Sequence, residues 1–257
     1  MIRNSVNFWN KRAKVIKVAD SNNPYLNIYK TKKLINLLKK KKKILDVGCG
    51  TGNLLDDINK VKKISFGVGI DFSSKMIERA KKINIKNKNL KFYNIDMNNY
   101  DELKNITNQK FDYIITKRSI INVLSRKKQM NIIDNLGKLL KRSGKLLACE
   151  CSRNDQQNLN KIRKQFNLKS INPPWHNLYF NDDQLKKFKF KNVKLTFMHD
   201  FTSTYYFVSR IINAIEKQKK KKIPKYNDLL NIIGWNLDEN LIKGFSQTKI
   251  YEFRPKS

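Results

Sequence analysis

Between Ile44 and Asp71 the sequence writes an apolar strand, a turn with a glycine at every second position, a helix, and a second apolar strand closed by an acid. The first strand is Ile44-Leu45-Asp46-Val47 and the turn is Gly48-Cys49-Gly50-Thr51-Gly52. A helix is expected from Asn53 to about Lys60, followed by the strand Ser65 to Asp71. Glycines in such a turn permit a tight reversal and let the backbone approach a ligand closely. An acid about twenty residues beyond the turn, at the end of the second strand, is placed to accept hydrogen bonds from ribose hydroxyls.

The alternation continues. Ser73 or Ser74 is expected to cap a helix through Met76, Ile77 and Ala80. Strands are expected at Leu90 to Ile95, at Phe111 to Thr116 and at Lys145 to Glu150, with an amphipathic helix from Met130 to Leu140 ending near Gly144. Another helix, Asn27 to Leu38, precedes the first strand. Strand and helix alternating at this spacing imply an α/β fold with a doubly wound, mostly parallel sheet and helices on both faces. Ligands then bind beyond the carboxyl ends of the strands, where the strand order reverses. After Glu150 the rhythm is lost, and Asn192 to His199 and Ser246 to Phe253 are expected as two late strands pairing antiparallel at one edge. The chain thus divides into a helical cap (1–42), a ligand-binding domain (43–152) and a substrate lid carrying the last two strands (153–257).

Composition narrows the function classes. A net charge of +34 suggests a nucleic-acid footprint. The excess is mostly lysine, however, whereas bidentate contacts to phosphate or guanine favour arginine. Asn and Ile are abundant too, a tilt that a coding bias toward A and T produces without selection for binding. A nucleic-acid partner is therefore possible but not favoured. Cys49, Cys149 and Cys151 form no disulfide framework, which suits a reducing compartment. His176 and His199 have no metal-ligand spacing around them, so no metal is expected. The first twenty residues have no long apolar run, and no stretch reaches transmembrane length. A soluble, cytoplasmic protein without a membrane partner is the expectation, and the sequence is silent on oligomeric state.

At these residues the chain resembles the class I S-adenosylmethionine-dependent methyltransferase family. ILDVGCGTGNLL (Ile44 to Leu55) is similar to that family's first motif, GVGIDFSSKMIERAKK (Gly67 to Lys82) to its second, and Ile95-Asp96-Met97 to its third. FDYIITKRSIINVLS and LLKRSGKLLACE resemble its fourth and fifth strands. The resemblance implies a Rossmann-like fold with S-adenosyl-L-methionine as cofactor. It implies that Gly48, Gly50 and Gly52, with Asp46 and Cys49 in the same loop, cradle the methionine portion. It further implies that Asp71 holds the ribose, Phe72 packs on the adenine, and Asp96 with Met97 meets its edge. The segment Phe8 to Ala13 resembles a helix that closes over the cofactor in this family, so Arg12 becomes a candidate partner for the methionine carboxylate through a forked hydrogen bond. Arg118, at the end of the fourth strand, joins the cofactor candidates.

The acceptor side is less specific. Asn172-Pro173-Pro174-Trp175 spells a signature of enzymes that methylate amino groups of adenine or glutamine, but that signature belongs at the end of the fourth strand, which Thr116-Lys117-Arg118 occupies here. Pro173 to Asn177 and Phe201 to Arg210 resemble segments of a methyltransferase subgroup associated with sugars and other small molecules. That resemblance makes Trp175, Asn177, Tyr205 and Tyr206 candidate substrate contacts. His176 is the first candidate general base and Glu150 the second, because imidazole titrates near neutral pH. The expected activity is methyl transfer to a small-molecule acceptor, a hydroxyl of a sugar or related metabolite, the rival being an RNA or protein acceptor held by the basic surface.

Overall fold

The strand–glycine–helix unit is built as its sequence demands, with β1 (Lys43–Val47) leading into α3 (Asn53–Lys62) in a computed structural model that describes residues 2–15, 23–105, 109–239 and 241–256. Ahead of it lie α1 (Ile2–Val15) and α2 (Pro24–Asn36). Then follow β2 (Phe66–Asp71), α4 (Ser74–Ile83), β3 (Leu90–Asn94), α5 (Tyr100–Asn105), β4 (Phe111–Lys117), α6 (Arg126–Gly137) and β5 (Leu140–Cys151). The remainder is α7 (Arg153–Gln165), α8 (Asp182–Lys187), β6 (Val193–Asp200), α9 (Ser203–Phe207), a π-helical turn (Val208–Ile212), α10 (Asn213–Lys219), α11 (Leu229–Asn236) and β7 (Thr248–Pro255).

The seven strands form one sheet in the order β3-β2-β1-β4-β5-β7-β6. β1 to β5 are parallel, while β7 runs antiparallel between β5 and β6. The late strands therefore pair antiparallel at one edge, as expected. Alternate side chains of each central strand point to opposite faces. Leu45, Val47, Ile70, Ile114 and Leu146 pack with Ile132, Ile133 and Leu136 of α6, whereas Ile44, Ile115 and Leu147 pack with Leu34 of α2 and Leu55 and Ile58 of α3. Both faces are covered by apolar side chains, which explains the continuous apolar runs. The strand order reverses between β1 and β4, so a crevice opens at their carboxyl ends.

Local chemistry sets the boundaries. Ser73, not Ser74, caps α4, its hydroxyl accepting from the Met76 amide at 3.2 Å. One expectation needs correction: the helix expected to reach Leu140 and end near Gly144 stops at Gly137, and Leu140 already pairs with Phe111 in the sheet. Register shifts between Phe111 and Tyr113, so that Lys145 is next to pair and the intervening residues bulge. Lys141, on this bulge, reaches the Asp112 carboxylate at 3.0 Å.

Candidate functional site

The glycine turn is held in place by its neighbours. Gly48, Gly50 and Gly52 all have positive φ (76°, 53° and 76°), a region costly for other residues. The amides of Gly48 and Cys49 both donate to the Ile70 carbonyl, at 2.8 and 2.9 Å. Gly48 also permits a close approach: a Cβ there would lie 2.3 Å from the Ser119 Cβ. Ser119 is fixed in turn by donating its hydroxyl to the Val47 carbonyl at 2.6 Å. The ends of β1 and β4 are thereby locked together.

Two acids face the turn. Asp71 accepts from the Gly50 amide on one oxygen and from the Ser73 amide on the other, both at 2.9 Å. Burial raises its pKa to about 6, against the lowering effect of those two amides. Asp46 is more deeply buried, and its Oδ2 has no hydrogen-bond partner among the described residues. Burial pushes its pKa to about 7, with Lys117 opposing and Asp71 adding to the rise. Beside it lies a void of about 20 Å³ bounded by Gly48, Cys49, Thr51, Asn53, Leu54 and Lys117, room for a single small polar group.

Beyond the turn a cavity of about 240 Å³ opens over the strand ends. Gly48, Gly50, Asp71, Phe72, Asp96, Met97, Arg118 and His176 line it, together with Trp9, Met76, Ser119, Asn122, Val123 and Lys128. Asp96 is positioned by Asn98, whose amide and side-chain nitrogen donate to its Oδ1 at 2.9 and 2.7 Å. A second cavity, of about 370 Å³, shares a wall of Trp9, Arg118, Asn122 and His176 with the first. Arg12, Asn177, Tyr206, Arg210 and Gln247 are among its other lining residues. The second volume lies near the lower end of the roughly 300–1,000 Å³ typical of ligand sites and the first just below it.

Three elements roof the cavities. α1 is pinned across α4, where Ser73 Oγ donates to Asn10 Oδ1 at 2.6 Å and Arg79 Nη1 donates to the Ala13 carbonyl. The loop from Ile171 to Phe180 is anchored by Leu178 N donating to the Ile121 carbonyl and Phe180 N donating to the Cys151 carbonyl. Buried Gln129 ties loop and turn, its Nε2 donating to the carbonyls of Ile120, Val123 and Leu178. α1 and the loop meet through rings: His176 lies 4.8 Å from Phe8 and 5.8 Å edge-on from Trp9. The His176 Nδ1 is buried without a hydrogen-bond partner among the described residues. Its pKa is lowered by burial first, then by Arg118 and Arg12. The third element, β4 to α6, is turned by Arg118 at a φ of 57°, an unusual conformation for a bulky residue.

Of the two candidate bases, only His176 faces a cavity. Glu150 is fully buried and lines neither. Its Oε1 accepts from the Thr116 hydroxyl at 2.7 Å and from the amides of Ser119 and Ile120 at 3.1 Å, and its Oε2 from the Ile121 amide at 3.4 Å. Burial raises its pKa to about 7 despite these bonds. That arrangement caps the turn after β4. Arg12 lines the second cavity and not the first. Gly52 serves packing, since a Cβ there would lie 2.8 Å from Asn84 and Phe92, and Cys49 is buried behind the turn. Trp175 is exposed, touching Phe8 and His176 by ring edges. Tyr205 is buried against Trp235, its hydroxyl accepting from Asn23 Nδ2 at 2.6 Å, and lines neither cavity. Trp9, Ser119, Asn122 and Arg210 went unselected by sequence reasoning. Ser119 and Asn122 follow directly after the fourth strand, where the fold rule places ligands, and that position was the available signal.

Sequence comparison matches residues 38–194 to a family described as a methyltransferase domain. An uncharacterized protein of Rickettsia prowazekii is 36% identical over 105 residues, and the match spans 40% of this chain and 40% of that protein's length. Among solved structures, a Haloferax volcanii complex of the Trm112 methyltransferase activator with a methyltransferase superposes with a TM-score of 0.61 at 12% identity, covering 100% of this chain and 98% of that one. The Bradyrhizobium japonicum N-methyltransferase NodS in complex with S-adenosyl-L-homocysteine gives a TM-score of 0.56 at 11% identity, covering 99% and 98%. At such identities the likeness is one of fold.

Proposed function

The chain belongs to the methyltransferase-domain family, and from that premise we propose that it transfers a methyl group from S-adenosyl-L-methionine to a hydroxyl of a small-molecule acceptor. The observation that carries the reading is the pair of cavities meeting at one wall, with His176 at the junction. The first cavity fits the cofactor on two counts. Gly48, bare of a side chain, lines both this cavity and the small void beside it, and the orphaned Oδ2 of Asp46 borders that adjoining void, which suits an ammonium group. Gly48, Gly50 and Asp46 would hold the methionine portion, with Cys49 and Gly52 shaping the turn. Asp71 would take the ribose hydroxyls, Phe72 the adenine face, and Asp96 and Met97 its edge. Arg118, bordering both cavities, would serve the carboxylate.

When bound, S-adenosyl-L-methionine supplies an electrophilic methyl carbon on a sulfonium. The protein's own contribution is orientation, which can lower a barrier by roughly 7–11 kcal/mol when reacting groups are well aligned. His176 is neutral at pH 7 because its pKa is lowered, so it can accept the acceptor's hydroxyl proton. Phe8 and Trp9 hold its ring, and the Glu150 carboxylate, as a positioning group, holds the turn carrying Arg118 and Asn122. Tyr206 and Asn177 line the acceptor side.

Calorimetric titration with S-adenosylhomocysteine tests the reading. Wild-type protein should bind it, Asp71→Asn about tenfold or more weakly, and His176→Ala with nearly unchanged affinity but strongly reduced turnover. Failure of the wild type to bind would overturn the proposal, and loss of binding in His176→Ala would move that loop into the cofactor site.

A further inference from the structure

Nothing acidic lines the second cavity among the described residues, whereas three guanidinium groups do, from Arg12, Arg118 and Arg210. Asn177 lines the same cavity, is 8% exposed, and leaves both Oδ1 and Nδ2 buried without a hydrogen-bond partner among the described residues. The Nε of Arg210 is buried and has no hydrogen-bond partner among the described residues either. Buried polar atoms are nearly always satisfied inside a folded protein, so orphans clustered on residues that line one cavity point to a ligand that completes them. Arg210 sits in the π-helical turn, a rare geometry that concentrates at functional sites. The backbone there is braced by Arg163, whose Nη1 donates to the Arg210 carbonyl, and the guanidinium lies 5.9 Å from the Tyr206 ring centroid.

A planar guanidinium fork matches the geometry of a carboxylate or phosphate, and an amide adds one donor and one acceptor. We propose that the second cavity recognises an oxyanionic group on the acceptor, held by Arg210 and Arg12 and capped by Asn177. This rests on the reading of that cavity as the acceptor site. Arg118, on the shared wall, stays with the cofactor carboxylate, so the anion is left to Arg210 and Arg12. The substrate class is then a small hydroxylated acid, its anion deep in the second cavity and its hydroxyl at the junction.

The test is calorimetry on the full chain saturated with S-adenosylhomocysteine at fixed ionic strength, with inorganic phosphate titrated in one arm and acetate in the other. At least one anion should occupy a saturable site, and the tighter arm identifies the oxyanion. Arg210→Gln should weaken it about tenfold or more. Asn177→Asp, which places a like charge against the ligand, should abolish binding even if Arg210→Gln folds poorly. Lys222→Gln, at an exposed position, should change nothing. Absence of saturable anion binding in protein that does bind S-adenosylhomocysteine would overturn this inference alone, as would unchanged affinity in both cavity variants. Failure to bind S-adenosylhomocysteine would strike the underlying reading as well.

Discussion

Replacing Asp46 by Asn should stabilise the ligand-free protein at alkaline pH while weakening cofactor binding. The Asp46 carboxyl is 1% exposed with an orphaned oxygen, and burial raises its pKa from 3.8 to about 7. A rise of that size corresponds to about 4 kcal/mol favouring the protonated form in the fold. Below about pH 4 the folded and unfolded chains both keep the proton, so the group contributes nothing. Between about pH 4 and 7 the unfolded chain releases the proton and the folded one retains it, so stability falls as pH rises. Above about pH 7 the full cost is present. The Asn variant escapes that cost but buries an unsatisfied amide worth about 1–3 kcal/mol. The net gain at pH 8 is therefore about 1–3 kcal/mol, or an increase in Tm of about 3–10 °C. At pH 4 the gain should vanish or reverse. Thermal denaturation from pH 4 to 9, paired with S-adenosylhomocysteine titration, provides the assay. The variant should lose affinity by about tenfold or more, because the charge that would face the ligand's ammonium is gone. An Asp46→Asn protein that is less stable than wild type at pH 8, or that binds S-adenosylhomocysteine as well as wild type, would refute the reasoning.

Gly48→Ala combines a φ of 76° with a Cβ 2.3 Å from the Ser119 Cβ, and should cost about 2–5 kcal/mol by denaturant unfolding. Glu150→Ala strands the Thr116 hydroxyl and the amides of Ser119 and Ile120, and should cost about 3–5 kcal/mol. Glu150→Gln keeps an acceptor oxygen and should retain turnover within a few-fold; a folded Glu150→Gln protein with turnover down a hundredfold would make Glu150 the base. NMR titration should place the His176 pKa below 6.5 in wild type and higher in Arg12→Gln, since Arg12 adds to the lowering. An unchanged value in that variant would remove Arg12 from the field at the imidazole.

The binding half of the molecule was legible because its requirements are local. A glycine turn, an acid at each strand end and a serine cap are written in consecutive residues, and Ile44, Val47 and Ile70 show their burial by type alone. The end of α6 was misplaced because Leu139 and Leu140 continue the helical apolar spacing, and only pairing of Leu140 with Phe111 reveals the strand. Glu150 stood out as an acid at a strand tip, yet its partners are amides some thirty residues earlier. Tyr205 and Tyr206 are adjacent in sequence but diverge, one against Trp235 and the other toward the second cavity. Arg12 and Arg210 share a cavity across nearly the whole chain, a proximity that no local pattern encodes.

The central claim is that the two joined cavities carry a methyl group from S-adenosyl-L-methionine to a small molecule. Purified protein should be given S-adenosylmethionine labelled in its methyl group, with a cell extract separated into small-molecule, protein and nucleic-acid fractions. The account predicts label in the small-molecule fraction, on an anionic compound, and its loss in Asp71→Asn. Label confined to the RNA or protein fraction would contradict it and bring the lysine-rich surface into the mechanism.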